Sequence, residues 1–350
     1  MIGQLTTGGA EGQLRLLCEG FDRSAIEPVV YCLSAKTEPY GGLLERAGIA
    51  VRVVAGSRLG RIYELRRVLA ADAIDLVHAW LFIGNAYAWA ANVGERRPLV
   101  TSARNCKRQG RWLDALNRRA FRSGAAIIAN SPDVERYIVR EYGAPAERIT
   151  VVPNAIDVGR FRPGPRRSGA PRIITVGRLV QQKNPLLFVA AAAALRARLP
   201  DAQFVIVGEG PLRGEIEAAI RAAHLEQACT LAGERHDVEV LLRDADLYWL
   251  TSGWEGLPNA VIEALACGLP VIATAVGGTG DLIGDGDEGF VVAPGDGDAL
   301  VARSLQILGD PALHARMRGA ARARAEQFGI EQMVHAMQAV YDRVLVRQAA

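Results

Sequence analysis

Two carboxylates stand close together in a stretch that is otherwise built of small and apolar residues. Glu255 and Glu263 belong to SGWEGLPNAVIEALACGLPVIATAVGG, residues 252–278. The strand-like run before this stretch predicts that Glu255 lies in a loop, and Pro258 is typical of the first turn of a helix, which we expect to run to Cys267. The preceding Leu257 has no side-chain oxygen that could cap the helix. The N–H groups of the helix start therefore predict a site for an anion.

The two carboxylates define what the rest of the ligand would be. A carboxylate would repel a phosphate, so Glu255 and Glu263 fit better as acceptors of hydrogen bonds from hydroxyl groups. A diphosphate flanked by two hydroxyl-bearing groups describes a nucleotide sugar. The alternative is that Glu255 is a solvated loop residue and Glu263 a surface position of the helix.

A matching pair of cations follows an earlier strand-like run. The segment TVGRLVQQKNP, residues 175–185, contains Arg178 and Lys183, and the chain otherwise uses arginine for almost all of its 41 basic residues. A compact ammonium group is suited to a phosphate as a point charge. The alternative is that both are solvated loop cations.

Composition limits the classes of protein to consider. The 350 residues favour two domains, half of the residues are hydrophobic, and the net charge of +3 argues against a polycationic nucleic-acid binder. The five cysteines are scattered, which argues against a disulfide framework or a zinc site and favours a reducing compartment. No signal peptide or membrane span is expected, and His78, Asn85 and Asn92 interrupt the most apolar stretch, residues 76–93. We therefore expect a cytoplasmic protein.

Short apolar runs alternate with longer amphipathic ones along the whole chain. This alternation predicts an α/β fold with two Rossmann-like, doubly wound domains facing a cleft. The strand-like runs are 28–34, 51–55, 74–80, 98–103, 125–130 and 149–153 in the first series, and 172–177, 203–208, 228–233, 246–252, 270–274 and 289–294 in the second.

The domain boundaries follow from the same pattern. We predict an N-terminal domain over 1–156, a linker rich in Pro, Gly and Arg over 157–171, and a C-terminal domain over 172–328. A last helix, 329–350, could pack on either domain, and packing back on the N-terminal domain is one option.

The chain begins in what looks like the end of a first strand, followed by Gly8 and Gly9 at a helix start. The two glycines would allow a ligand to approach the backbone closely, or they simply form an ordinary strand-to-helix turn.

These blocks resemble retaining glycosyltransferase family 4, which has the GT-B fold. The resemblance rests on the E-x7-E segment with EGLP and PVIAT, and on VGRLVQQKNP, VGEGPLR, VVPNAIDVGRF and the N-terminal GGAE. It covers essentially the whole chain, and GGAE proteins are often found in polysaccharide or glycolipid assembly.

The resemblance implies a metal-independent, retaining transfer of a sugar from a UDP- or GDP-sugar to a saccharide or lipid-linked acceptor, without a cofactor. Glu255 would contact the donor sugar, Glu263 the ribose hydroxyls, and Arg178 and Lys183 the diphosphate. The usual proposal for the family is that a leaving phosphate oxygen helps to deprotonate the acceptor hydroxyl. The remaining donor-binding residues implied are Gly8, Gly9, Gly177, Glu234, Arg235, Gly256, Leu257, Pro258 and Asn259.

The acceptor would bind on the N-terminal domain. His78, in DLVHAW, resembles a family element that places a histidine near the acceptor, and it completes the implied catalytic set with Glu255, Arg178 and Lys183. Trp80 stands where a second histidine is often found. A lone histidine at a strand end is also commonly structural.

Three other interpretations remain open. The segment VGEGPLRGEI, residues 207–216, resembles a dinucleotide fingerprint whose third glycine is one place late, so an NAD-dependent oxidoreductase is a remote alternative. A non-catalytic sugar-nucleotide-binding protein is another. The Asp-x-Asp pairs at 244–246, 285–287 and 296–298 resemble metal motifs, but we interpret them as turn residues and predict no metal site.

A basic amphipathic segment, KRQGRWLDALNRRAFRSG (107–124), completes the pattern. Its apolar residues could pack on the first sheet and leave the arginines solvated, or the segment could contact an anionic membrane. In the second case the protein would be peripheral at the inner face of the membrane.

Overall fold

The computed structural model describes residues 1–95, 97–106, 108–165 and 169–349. It divides into two compact units, Met1–Ala155 with Ile330–Ala350 and Ile156–Gly329.

The first unit is a parallel sheet covered on both faces by helices. Strands β3, β4, β5 and β6 pair in that order, and β1 pairs with β2. The first residues of the chain join these two groups, because Leu33 N donates to Ile2 O and Trp80 N donates to Met1 O. The elements are α1 (Gly9–Gly20), β1 (Val29–Cys32), α2 (Tyr40–Arg46), β2 (Ala50–Val53), α3 (Arg58–Ala71), β3 (Val77–Ala79), α4 (Leu81–Asn92), β4 (Leu99–Ala103), α5 (Arg111–Ser123), β5 (Ala126–Ala129), α6 (Pro132–Tyr142) and β6 (Ile149–Val151).

Alternate residues of these strands enter separate apolar clusters. Val100 of β4 packs with side chains of α1 and the C-terminal helix, whereas its neighbour Leu99 packs with side chains of α3 and α4. This period of two places helices on both faces of the sheet.

The last helix of the chain, α14 (Ile330–Ala349), is part of the first unit. It packs on α1, where Gly20 lies directly against Ile330 and Val334. A larger residue than glycine at this position would collide with both side chains.

The second unit is a six-stranded parallel sheet in the order β12-β11-β10-β7-β8-β9. Its elements are β7 (Arg172–Val176), α7 (Pro185–Arg198), β8 (Gln203–Val207), α8 (Arg213–Ala222), β9 (Cys229–Gly233), α9 (Val238–Arg243), β10 (Leu247–Leu250), α10 (Asn259–Ala266), β11 (Val271–Thr274), α11 (Thr279–Leu282), β12 (Gly289–Val292), α12 (Gly297–Gly309) and α13 (Pro311–Glu326). Two apolar clusters cover the two faces of this sheet.

The predicted fold class is confirmed. Each of the twelve predicted runs overlaps a strand, and the strand pairs formed by the described residues are parallel. The predicted first strand is reduced to a single bridge between Ile2 and Cys32. The predicted linker is described only over 157–165 and 169–171, and both pieces belong to the second unit.

The structure shows what the Asp-x-Asp pairs do. Asp246 accepts a hydrogen bond from Arg172 N at 2.8 Å, Asp285 from Val291 N at 3.0 Å, and Asp296 caps α12 through Ala299 N at 2.8 Å. In the described ranges no three His, Cys, Asp or Glu side chains are grouped so that they could hold a metal ion. The described helices likewise include none that is both long and apolar enough to cross a bilayer.

Candidate active site

Two loops of the second unit bring the predicted charged residues together. Strands β7 and β10 are neighbours and run parallel, so the loops that follow Val176 and Leu250 leave the same edge of the sheet. The first loop carries Arg178 and Lys183, and the second carries Glu255. Ligands of doubly wound sheets bind at this carboxyl edge.

Backbone hydrogen bonds join the two loops. Gln181–Lys183 form a single 3-10 turn, which ends at Asn184 in a left-handed conformation (φ +44°). Gly253 N donates to Gln182 O at 2.8 Å, and Gln182 Nε2 donates to Trp254 O at 3.0 Å. The 3-10 turn therefore holds the loop after β10 in place through Gly253 and Trp254.

Glu255 is surrounded by three donors. Its Oε1 accepts from Lys183 Nζ at 2.5 Å and from Ser252 Oγ at 2.6 Å, and its Oε2 accepts from Gln182 Nε2 at 3.3 Å. The side chain of Glu255 is only 7% exposed and that of Lys183 is 23% exposed. The carboxylate is thus fixed in place, and the ammonium group balances its charge in a partly desolvated setting.

A second clamp holds the backbone of the Glu255 loop. Gly277 has φ +50°, and a Cβ added there would lie 2.5 Å from Glu255 O and 2.6 Å from Gly256 O. The next residue, Gly278, donates its N–H to Gly256 O at 2.7 Å. Only glycine at 277 allows this approach, so the VGG sequence after β11 positions the EG sequence after β10.

Close backbone packing also shapes the loop after β7. A Cβ on Gly177 would touch the side-chain carbons of Lys183, and a Cβ on Gly208 (φ +133°) would collide with Gly177 O at 2.0 Å. Gly208 of VGEGPLR therefore allows a close backbone contact with the loop after β7. This removes the main support for a dinucleotide fingerprint in that segment.

Glu263 lies on α10, a turn beyond the loop. Pro258 has extended geometry (ψ 107°) and makes no capping bond through its side chain, so α10 begins at Asn259 and ends at Ala266. The predicted helix was one residue longer at each end. Burial raises the pKa of Glu263 to about 7, although Arg160 and Lys183 oppose the shift.

The other predicted donor-side residues lie at the same edge but make fewer contacts. Arg178 is exposed, and its side chain makes no hydrogen bond or ion pair to another described residue. Together with Gly177 and Lys183 it lines a pocket that Thr251 and Ser252 also line. Glu234 and Arg235 are exposed in the loop after β9, where Arg235 pairs with Asp237 at 2.6 Å.

The remaining predicted residues belong to the first unit. Gly8 precedes α1 and Gly9 begins it; a Cβ on Gly8 would collide with the buried side chain of Glu11. His78 packs on Trp80, and its Nδ1 lies 2.7 Å from Tyr341 Oη. Burial holds the pKa of His78 well below its usual range, so the ring is neutral at pH 7.

Sequence reasoning missed several residues of the site. Ser252 and Gln182 donate hydrogen bonds to Glu255. Arg160 and Glu239 form an ion pair at 2.8 Å, and beside the dominant effect of burial the pKa of Glu263 is lowered by Arg160 and raised by Glu239. Ser252 and Gln182 could have been suspected because each is polar and close in the chain to a predicted site residue. Arg160 is 103 positions from Glu263 in the numbering, and no local pattern connects the two.

The family follows from two matches that together span most of the chain. Residues 160–324 match the glycosyl transferases group 1 family, and residues 7–160 match Glycosyltransferase Family 4. The chain belongs to glycosyltransferase family 4. This confirms the resemblance carried by the E-x7-E and VGRLVQQKNP segments.

Curated relatives are similar over about two thirds of their length. A UDP-Gal:alpha-D-GlcNAc-diphosphoundecaprenol alpha-1,3-galactosyltransferase of Escherichia coli is 26% identical over 71% of this chain and 67% of its own. A 2-deoxystreptamine glucosyltransferase of Streptomyces kanamyceticus is 30% identical over 67% of this chain and 65% of its own.

Solved structures support the GT-B fold over nearly the whole chain. Anabaena HepE in complex with UDP has a TM-score of 0.88 at 22% identity and covers 98% of both chains. The outer core galactosyltransferase WaaB has a TM-score of 0.78 at 20% identity, again over 98% of both chains.

Proposed function

We propose that this family 4 protein transfers a hexose from a nucleoside diphosphate sugar to a saccharide or lipid-linked acceptor, with retention of anomeric configuration and without a metal ion. The observation that supports this most directly is the contact of Lys183 with Glu255 at the carboxyl edge of the second sheet. A cation and a carboxylate in contact suit the point of a ligand at which an anionic diphosphate ends and a neutral, hydroxyl-rich sugar begins.

Each charged residue has a role that agrees with its surroundings. Lys183 and Arg178 would bind the diphosphate and stabilise the charge that develops as the bond to the sugar breaks. Glu255, fixed by Ser252 and Gln182, would accept hydrogen bonds from the sugar. Glu263 would accept hydrogen bonds from the ribose hydroxyls, and the N–H groups of Gly256, Leu257 and Asn259 would face the diphosphate.

The transfer step requires no covalent intermediate. The bond between the anomeric carbon and the diphosphate oxygen breaks, and the acceptor oxygen forms the new bond on the same face. The acceptor proton passes to a phosphate oxygen of the leaving diphosphate. Lys183 and Arg178 would lower the energy of this step by holding the anionic leaving group.

The donor base and the acceptor class are inferred from relatives. HepE was solved with UDP and with UDP-glucose, and the E. coli relative is named for a UDP-galactose donor and a diphosphoundecaprenol-linked acceptor. We therefore propose a UDP-hexose as the first donor to test, ahead of a GDP-hexose. Membership of the family is also compatible with a soluble saccharide, which is the alternative acceptor.

The test is a panel of UDP- and GDP-sugars, read by thermal shift and by release of free nucleotide, with and without EDTA. We expect one donor to raise the melting temperature with concentration, and its slow hydrolysis to continue in EDTA. Binding without any release of nucleotide would instead support a non-catalytic sugar-nucleotide-binding protein. Loss of activity in EDTA, restored by manganese, would contradict the metal-independent mechanism.

A further inference from the structure

The first unit exposes apolar side chains where two helices begin. Leu59 and Tyr63 of α3 are 80% and 72% exposed, and Trp112 of α5 is 46% exposed. Positions 59 and 63 lie one above the other on the same face of α3. Single exposed apolar residues are common, but three such large ones at neighbouring helix starts form a surface.

A contact between the two helices shows that these residues are close in space. The guanidinium of Arg58, at the start of α3, lies over the ring of Trp112 at 5.2 Å from its centroid. The two residues are more than fifty positions apart in the chain. We call the surface the α3–α5 patch, defined by Arg58, Leu59, Tyr63, Arg111, Trp112, Arg118 and Arg119.

The arginines of the patch are available to an external anion. Arg58, Arg111, Arg118 and Arg119 are all exposed, and none forms an ion pair with a described residue. Nearby arginines differ, since Arg67 pairs with Glu64 and Arg108 pairs with Asp114. Lys107, which belongs to the predicted basic segment, lies outside the described residues.

The rest of α5 behaves as an ordinary amphipathic helix. Ala120 and Phe121 are buried, and Asp114 and Asn117 are buried with hydrogen bonds to Tyr142 Oη and Phe82 O. The packing interpretation of the segment is therefore correct for this face of α5. Trp112 is the exception, because its ring meets Arg58 and solvent instead of the sheet.

The chemistry of the patch fits a lipid surface. Trp and Tyr favour the interface between lipid and water, and leucine gains by burial in the acyl region. Each arginine close to an anionic bilayer is attracted to the lipid headgroups, so the four together give a substantial attraction. An acidic protein would match the charge but leave the exposed apolar side chains without a common partner.

We propose that the α3–α5 patch docks the protein on an anionic lipid bilayer. Because α3 follows β2 and α5 follows β4, the helix starts that carry Arg58, Leu59 and Trp112 lie at the carboxyl edge of these strands. Docking would hold that edge at the membrane surface. If the proposed transfer to an acceptor is correct, this placement favours a lipid-linked acceptor; the docking itself does not depend on that activity.

The test is flotation of the full chain with vesicles of neutral lipid and with vesicles containing about a third of anionic phosphatidylglycerol. We expect binding only to the anionic vesicles at low salt, and release at high salt because the ionic attraction is screened. Arg118→Glu with Arg119→Glu should reduce binding at least tenfold, and Leu59→Ser with Trp112→Ala should reduce it severalfold without changing the melting temperature.

Arg221→Glu with Arg316→Glu is the matched control, since both residues are exposed arginines of the second unit and the change in net charge is identical. This control should bind vesicles like the parent. Three outcomes would each overturn the proposal. They are equal losses of vesicle binding in the control and in the patch variant, no binding to anionic vesicles at low salt, and binding to nucleic acid in preference to vesicles. Nucleotide release without an acceptor, measured on the same variants, tests the proposed transferase activity separately.

Discussion

Glu255 and Glu263 lie on the same loop–helix segment, but their surroundings differ. Glu255 has three hydrogen-bond donors, one of which, Lys183, is also its ion-pair partner, whereas burial dominates at Glu263 and raises its pKa to about 7. A carboxylate with its charge already balanced is suited to orienting a ligand. Burial disfavours the ionised form of Glu263. Ligand hydroxyl groups that donate hydrogen bonds to this carboxylate would stabilise its ionised form.

The first prediction separates the two carboxylates by substitution. Glu255→Ala should chiefly lower turnover and Glu263→Ala should chiefly weaken donor binding, because we place them on the sugar and the ribose. Loss of a hydrogen bond to a charged group costs about 1.5–3 kcal/mol, or about 10- to 150-fold. Calorimetric titration with the donor and initial rates of nucleotide release provide the two measurements.

The exposed Glu226, in the turn between α8 and β9, is the control for removal of a carboxylate, and Glu226→Ala should leave both quantities unchanged. If Glu255→Ala and Glu263→Ala both bind the donor and turn over like the parent, the donor site lies elsewhere.

The second prediction concerns pH. Because the pKa of Glu263 rises from 4.5 to about 7 on folding, the folded protein binds an additional proton between these values. Its free energy of unfolding therefore falls as pH rises through this window and levels off above it. Glu263→Gln lacks the cost of ionising this carboxyl group. It should gain on the order of 2 kcal/mol over the parent from pH 5 to pH 8, a value reduced because the side chain is only partly buried. Urea unfolding at each pH gives the difference.

Donor affinity should show the opposite trend. Hydroxyl groups that donate to Glu263 favour its ionised form, so affinity for UDP-glucose should rise from pH 6 to pH 8 in the parent. The dependence should flatten in Glu263→Gln. Parallel pH profiles for the two proteins, in stability and in affinity, would show that Glu263 does not titrate in this range.

At the scale of elements, turns and loops account for most of what the sequence did not predict. The strands were predictable because continuous Val and Ile runs have few alternatives in an α/β chain. The contact of Lys183 with Glu255 depends on a single 3-10 turn and on Asn184 at positive φ. The exposure of Trp112 depends on a partner on another helix. Neither dependence leaves a periodic signal in the sequence.

The third prediction tests the backbone clamp on the Glu255 loop. Gly277→Ala should lower the melting temperature and reduce turnover, because a Cβ would lie 2.5 Å from Glu255 O and the left-handed backbone costs a further 1–2 kcal/mol, roughly, for a residue with a side chain. Moving Glu255 by a fraction of an ångström should reduce turnover by at least tenfold.

Gly280→Ala is a close control, three residues further on. This glycine is helical, and a Cβ there meets nothing within 4 Å. It should be neutral or slightly stabilising. Equal effects of the two substitutions on turnover would mean that the clamp does not position Glu255.

At the scale of the whole molecule, the chain enters the second unit at Ile156 and returns to the first at Ile330. The first unit therefore depends on residues at both ends of the sequence. The amphipathic pattern predicted the last helix but left open which domain it would join, since an apolar stripe does not identify its partner. The structure packs α14 on α1, through the small residue Gly20.

The last prediction tests how much the first unit depends on α14. Met337 is fully buried in the cluster that also contains Leu14, Leu17 and Trp80, whereas Val346 on the same helix is 68% exposed. Met337→Ala should cost about 2–5 kcal/mol through lost burial and a cavity, while Val346→Ala should change stability by less than about 0.5 kcal/mol. The loss should appear in the unfolding of the first unit, and donor binding, which we assign mainly to residues of the second unit, should be retained. Differential scanning calorimetry with and without the donor measures both effects. If Met337→Ala proved as harmless as Val346→Ala, α14 would not be an integral part of the core of the first unit.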